Sequence, residues 1–278
     1  MKFNPCLEVV LASVVWGSTG VFVKYLNLPP TTIAFFRLAV PTLILGAFFL
    51  FKRTKLFHSK NKLILLASSL NAIRMFFYFV GFTFTSIGNA VIILYTWPIF
   101  ATILSALFLK EKISKKNIVL LFITFFGIVL IYLNKEISFA NKDFIGMSSM
   151  LLSAIIYSST VVIFKKESNN YSKFETIFYQ NLVGAIVFLP FIFINYPFPT
   201  IFQISVASIY AILIGLVGFG LFFSALKQIK ASTASFLSYV EVISAILFGI
   251  ILFNEVLTWN IVVGGLLIIS SAIFIRKK

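Results

Sequence analysis

Residues Leu11–Lys24 read LASVVWGSTGVFVK, and residues Leu152–Lys165 read LSAIIYSSTVVIFK. At a constant offset of 141, five of fourteen positions are identical: Leu11/Leu152, Ser18/Ser159, Thr19/Thr160, Val21/Val162 and Lys24/Lys165. Most of the rest are close exchanges, Trp16 for Tyr157 among them. Two apolar strings match easily by composition. A shared Ser-Thr followed by Lys five residues later is harder to reach by chance, so the two stretches read as copies.

Composition sets the class. Of 278 residues, 60% are hydrophobic and 11% charged, against roughly 25% charged in a soluble domain. Apolar runs of about 20 residues, the length that spans a bilayer, recur along the chain. Ten spans are expected: 7–26, 31–51, 63–83, 88–109, 117–133, 144–164, 174–194, 204–226, 231–253 and 259–275. Helices are the economical form, because an open strand leaves amides unpaired in lipid. The expectation is an all-α integral membrane protein.

The net charge of +15 does not point to nucleic acid, because the cations sit in short clusters between apolar runs. With the N-terminus placed inside, the inner segments hold Lys2; Lys52, Arg53, Lys55, Lys60 and Lys62; Lys110, Lys112, Lys115 and Lys116; Lys165, Lys166 and Lys173; Lys227 and Lys230; and Arg276, Lys277 and Lys278. The outer segments keep Lys24, Lys135 and Lys142. This bias predicts cytoplasmic N- and C-termini in a multi-pass protein of the inner (cytoplasmic) membrane.

Topology gives the repeat a direction. The offset crosses five spans, so the second copy is inverted relative to the first. Later segments pair at an offset of 144: Asn89–Glu111 aligns without a gap to Thr233–Glu255, with Ala90/Ala234, Tyr95/Tyr239 and Glu111/Glu255 identical. Two inverted five-helix repeats are expected, residues 1–137 and 138–278. Inverted repeats are common in secondary transporters, which place substrate near the bilayer midplane.

These residues resemble the EamA family of the drug/metabolite transporter superfamily. Trp16-Gly17-Ser18 with Lys24 resembles the family's opening motif, and Arg37 the arginine of its second helix. Tyr95–Pro98 followed by Leu109-Lys110-Glu111-Lys112 resembles its fourth helix. Tyr239-Val240-Glu241-Val242 with Glu255 resembles the same element in the second half, with Val242 where the family often has proline. The resemblance implies a ten-helix bundle, a cavity between the repeats, and secondary transport of a small metabolite, often an amino acid.

Ionisable groups inside a bilayer cost about 3 kcal/mol each on insertion scales and need a reason. Arg74 and Glu241 fall near the middle of spans three and nine. The sequence reading places them on one cavity, pairing when it is empty and holding the carboxylate and amino group of a zwitterion when it is filled. A carboxylate there also suits a coupling proton. Tyr95, Tyr239, Trp16, Tyr78, Asn71, Ser18, Tyr157 and Ser159 complete the expected substrate-binding set. Arg37, Glu111, Glu255 and Lys24 are assigned structural roles at helix ends and junctions. The counterparts of Arg74 and Glu241 at the 144 offset are Gly218 and Trp97, so the charges break the symmetry.

An enzyme is the rival class and has thin support. The single histidine, His58, lies in a basic loop, and the single cysteine, Cys6, forms no metal set. No cofactor is expected. The partners are a small-molecule substrate and the lipid bilayer, with no nucleic acid. An amino acid or amino-acid-derived solute, carried by alternating access, is the first substrate expectation. The alternatives are a carrier for a larger cationic or nucleoside-like cofactor of S-adenosylmethionine type, and a non-transporting membrane binding protein.

Overall fold

A computed structural model describes residues 4–54, 56, 62–85, 87–132, 141–194, 198–254 and 256–276. All regular structure among them is helical: α1 (Pro5–Gly17), α2 (Thr19–Leu26), α3 (Pro30–Phe51), α4 (Lys62–Phe84), α5 (Ile87–Leu94), α6 (Trp97–Leu109), α7 (Lys115–Tyr132), α8 (Asn141–Glu167), α9 (Lys173–Phe188), α10 (Pro190–Ile194), α11 (Ile201–Ala211), a π-helical segment (Ile212–Gly218), α12 (Phe219–Gln228), α13 (Ala231–Leu237), α14 (Val240–Phe253) and α15 (Trp259–Arg276). Among the described residues, eight helices are long and apolar enough to cross a membrane, and Trp259–Phe274 is a shorter apolar helix. Leu50, Phe51, Ile201 and Trp259 are among many large apolar side chains left exposed on the bundle. In water this surface would be costly; in lipid it is the solvated face.

The helix ends follow from local chemistry. Asn4 caps α1 by accepting from the Cys6 amide, and Pro5 follows at the first helical position, where its missing N–H is not needed. Capping boxes open α9 (Ser172 with Glu175) and α11 (Thr200 with Gln203); each satisfies two orphan amides. Lys110 and Asn254 close α6 and α14 in the left-handed region, at φ 55° and 52°.

Three apolar spans are broken near their centres. Ser18 separates α1 from α2, and its hydroxyl donates to the Val15 carbonyl at 2.6 Å. Thr96 does the same between α5 and α6, donating to Ile93 O at 2.6 Å, just before Trp97-Pro98. Ser238 and Tyr239 separate α13 from α14. Such back-bonding hydroxyls compete with the helical ladder, and in lipid a broken ladder is tolerated only where protein or a cavity covers it.

Element boundaries recur at a separation of 144 residues: α5 and α13 begin at 87 and 231, the left-handed caps fall at 110 and 254, and α7 and α15 run 115–132 and 259–276. Packing pairs exchange in the same way. Helix α1 packs on α14 and α12, while α8 packs on α6 and α4; α3 packs against α9, and α7 against α15. Glycines permit the close approaches. A Cβ at Gly127 would meet the Gly264 carbonyl at 2.8 Å, and one at Gly264 would meet Gly127 O. Gly17, Gly81, Gly184 and Gly218, expected as small residues at helix contacts, abut Ser244, Met150, Leu38 and Trp16 respectively.

Polar ties close the bundle at both ends. Glu111 accepts from the Ala231 amide (2.7 Å), the Ser232 amide (3.2 Å) and the Ser232 hydroxyl (2.8 Å), and so caps α13. Lys230 Nζ donates back to Lys112 O at 2.7 Å. Lys165 Nζ donates to Leu226 O at 2.7 Å and Lys227 O at 3.3 Å. At the opposite end Gln203 Nε2 donates to Leu26 O at 3.0 Å. Glu255 and the side chain of Lys24 lie outside the described residues.

Gly127→Val or Gly264→Val is expected to destabilise the detergent-solubilised protein by about 1–3 kcal/mol through overpacking, read as a lower Tm. Gly20→Ala, which meets open space, leaves Tm within a degree or two. Glu111→Ala strips three charge-assisted bonds from one buried junction and is expected to cost roughly 1.5–3 kcal/mol, measured by the same unfolding curves, with Glu111→Gln losing less.

Candidate functional site

The broken span α5–α6 packs against the uninterrupted helix α8, which in turn packs on α4. Arg74 occupies the centre of α4. It is buried, at 7% exposure, and its guanidinium lies over the Tyr157 ring of α8 at 4.5 Å and the Tyr78 ring at 5.9 Å. These are cation–π distances, worth more where water is excluded. Its Nη2 donates to the Met75 sulfur at 3.1 Å, and its Nε has no hydrogen-bond partner.

Arg37 comes from α3 to the same point. Its Nη1 donates to the same Met75 sulfur at 3.4 Å, and its guanidinium lies over Phe219 at 5.3 Å. The two guanidiniums are like charges on one acceptor and repel each other, more strongly where water is excluded. A thioether is a weak acceptor and does not neutralise either. Arg37 is therefore not spent on a helix end, where the sequence reading put it; it stands beside Arg74.

Glu241 begins α14 directly after the Ser238–Tyr239 break. Its carboxyl accepts a hydrogen bond from the Tyr95 side chain. Both arginines lie within electrostatic range of it, as do Tyr78 and Tyr157. Among the described residues, neither guanidinium forms an ion pair. The expected direct pairing of Arg74 with Glu241 is thus not made: the three charges share one neighbourhood and remain apart. The Gly17 backbone packs tightly against the Glu241 carbonyl and Ser244, which fixes the α1 break against the start of α14.

Tyr95 and Tyr239, related by the 144 offset, form a second tie across the bundle. Their ring centroids are 6.1 Å apart, and the Tyr239 hydroxyl donates to Tyr95 O at 2.9 Å. Trp16 is buried against Phe219 (4.8 Å) and Phe222 (5.2 Å), and its Nε1 has no partner. Phe219 contacts both Trp16 and Arg37, which joins Trp16 to the cluster. The symmetry breaking is concrete here. The Trp16 ring lies against Gly218, while its counterpart Tyr157 lies under Arg74 and against Trp97 at 4.7 Å.

Asn71, one turn before Arg74, donates to Gln180 O at 3.1 Å across the α4–α9 contact; its own Oδ1, Gln180 Oε1 and Asn181 Nδ2 are buried without partners. Ser18 and Ser159 are not drawn into the cluster's polar contacts: each hydroxyl bonds within its own helix, to Val15 O and to Ile155 O at 3.0 Å. Sequence reasoning did not find Met75, Phe219 or Tyr210, whose side chain bonds Thr19 within range of Arg37 and Glu241. Apolar letters in an apolar helix carry no such signal. Glu8, expected as a solvated end charge, is buried at 7% exposure and accepts from the Ser224 hydroxyl at 3.1 Å. Among the described residues no group of His, Cys, Asp and Glu forms a metal site.

Comparison with known proteins agrees with this fold. A solved protein crystal structure superposes with a TM-score of 0.85 over 98% of both chains at 15% identity, a likeness of fold. The uncharacterised transporter YoaV of Bacillus subtilis is 26% identical over 98% of both chains. The pseudopaline exporter CntI of Pseudomonas aeruginosa is 24% identical over 98% of this chain and 95% of its own. The S-adenosylmethionine uptake transporter of Rickettsia bellii is 26% identical over 96% of this chain and 91% of its own. The profile of the EamA-like transporter family matches twice, over residues 5–133 and 144–277. With that coverage, and with multiple apolar helices around a polar centre, the chain belongs to the EamA-like transporter family.

Proposed function

We propose that this protein is a secondary carrier built from two inverted five-helix halves, residues 1–137 and 138–278. It moves a small polar metabolite across the cytoplasmic membrane by alternating access, with both termini in the cytoplasm. The repeated boundaries and exchanged packing pairs support the inverted layout. The lysine-rich end, tied by Glu111, is then the cytoplasmic gate, and the Gln203–Leu26 end faces outward.

One observation carries the reading: two arginines and a glutamate gathered inside the helix bundle, with no ion pair between them among the described residues. A structural role would be served best by pairing, since breaking up a buried pair is strongly unfavourable. Charges held apart over aromatic rings suit a ligand that supplies the missing partners. An amino acid or amino-acid-derived solute fits, its carboxylate toward the guanidiniums and its amino group toward Glu241. A coupling proton would use Glu241, the cluster's one carboxylate, competing there with the substrate amine. The S-adenosylmethionine-type alternative draws on one relative's substrate, but a site with two cations and one anion is poorly disposed to a cation.

In sealed proteoliposomes, Arg74→Gln and Glu241→Gln are each expected to reduce amino-acid uptake at least tenfold while the purified variants keep a cooperative unfolding transition. The double exchange Arg74→Glu with Glu241→Arg is expected to stay inactive. Recovery of uptake in the double exchange would show that the pair serves structure and not the substrate. Uptake driven by an imposed pH gradient is expected to lose its gradient dependence in Glu241→Gln; undiminished dependence would remove Glu241 as the proton carrier.

A further inference from the structure

The charges at the site specify more than a zwitterion. Arg37 and Arg74 each place a guanidinium nitrogen within 3.4 Å of the Met75 sulfur, and among the described residues Glu241 is the carboxylate found in range of both. A ligand with one carboxylate and one ammonium would answer Arg74 and Glu241 and leave Arg37, itself partly buried, unneutralised. The complement of two cations and one anion is two anions and one cation.

We infer, building on the carrier reading above, that the transported solute is an amino-dicarboxylate: a monoanion with two carboxylates and one ammonium or secondary-amine centre. Each guanidinium takes one carboxylate, in the forked geometry that arginine offers and lysine does not. The two carboxylates displace the weak sulfur contacts and satisfy the orphan Nε of Arg74. The amine turns toward Glu241, whose other partner, Tyr95, holds the carboxylate in place. The Tyr157 and Tyr78 rings stay beneath the Arg74 guanidinium and keep its plane fixed for a bidentate contact. The closeness of two like charges is then relieved by the ligand, so binding stabilises the protein as well as filling the site.

The test is a charge-graded ligand series on the purified wild type, read by thermal shift and by counterflow in proteoliposomes. The probes are L-aspartate, L-glutamate and L-2-aminoadipate (two carboxylates, one amine), succinate (no amine), L-serine (zwitterion) and L-lysine (net cation). The expected result is that at least one amino-dicarboxylate raises Tm and exchanges, with apparent affinity at least tenfold above succinate, serine and lysine. In Arg37→Gln that preference falls at least tenfold; Arg37→Lys recovers part of it. Equal or better exchange of serine or lysine overturns the amino-dicarboxylate assignment and leaves the carrier reading intact. Exchange of none of the six, with no thermal shift in wild type, overturns the assignment. Loss of the aspartate preference with Arg37 intact but Arg74→Gln, and no effect of Arg37→Gln, also overturns it by removing Arg37 from the site. The wild-type series needs no variant, so a variant that fails to fold leaves the outcome decided.

Discussion

Everything in this molecule accommodates charge where there is no water to hold it. An ionised side chain inside a membrane protein is expensive, and here three of them share one neighbourhood within the bundle. The protein meets part of the cost with rings under Arg74 and Arg37, a methionine sulfur between them, and a tyrosine hydroxyl on Glu241. None of these is a full counter-charge. The arrangement is stable only because many helices are packed around it, and the packing in turn depends on glycines that let backbones touch: Gly17 on α14, Gly218 under Trp16, Gly127 against Gly264.

The helix breaks serve the same end. Ser18, Thr96 and the Ser238–Tyr239 pair interrupt three spans, and Tyr95 and Glu241, beside two of these breaks, are joined by a hydrogen bond. The π-helical turn Ile212–Gly218 sits next to Arg37; such irregular turns frequently mark functional positions. Two halves whose element boundaries recur at a separation of 144 residues supply the frame, and differences at a few positions supply the chemistry. Arg74 and Trp97 both contact Tyr157, while Gly218 lies against Trp16 and Glu241 against Gly17, so each group of helices holds one charge and one apolar counterpart.

Much of this was legible in the residues. Length and hydropathy place the helices within a few residues, because lipid fixes how long an apolar run must be. Arg74 and Glu241 stand out because charge inside such a run is rare. The pairing of Tyr95 with Tyr239 followed from the repeat. What was not legible is where long side chains end. Arg37 reads as a helix-end cation from its position along α3, and only the approach of α4 and α12 shows that it reaches the Met75 sulfur and the Phe219 ring. The separation of Arg74 from Glu241 was equally hidden, since depth alone suggests a pair. Ser18 and Ser159 mark the repeat faithfully, yet short hydroxyls in lipid bond to their own helix first. Glu8 looked solvated because nothing local reveals that Ser224 lies 216 residues on in the chain and against it.

The central claim is that this charged cluster is a site opened to each side of the membrane in turn. Met75 is 3% exposed and touches both arginines, so its position reports on the cluster directly. The decisive measurement is labelling of Met75→Cys, in a Cys6→Ser background, by a membrane-impermeant maleimide applied to either face of sealed vesicles of known sidedness. The account predicts labelling from both faces, slowed on both by the transported solute. A thiol that labels from neither face, or from one face only with and without solute, would contradict it.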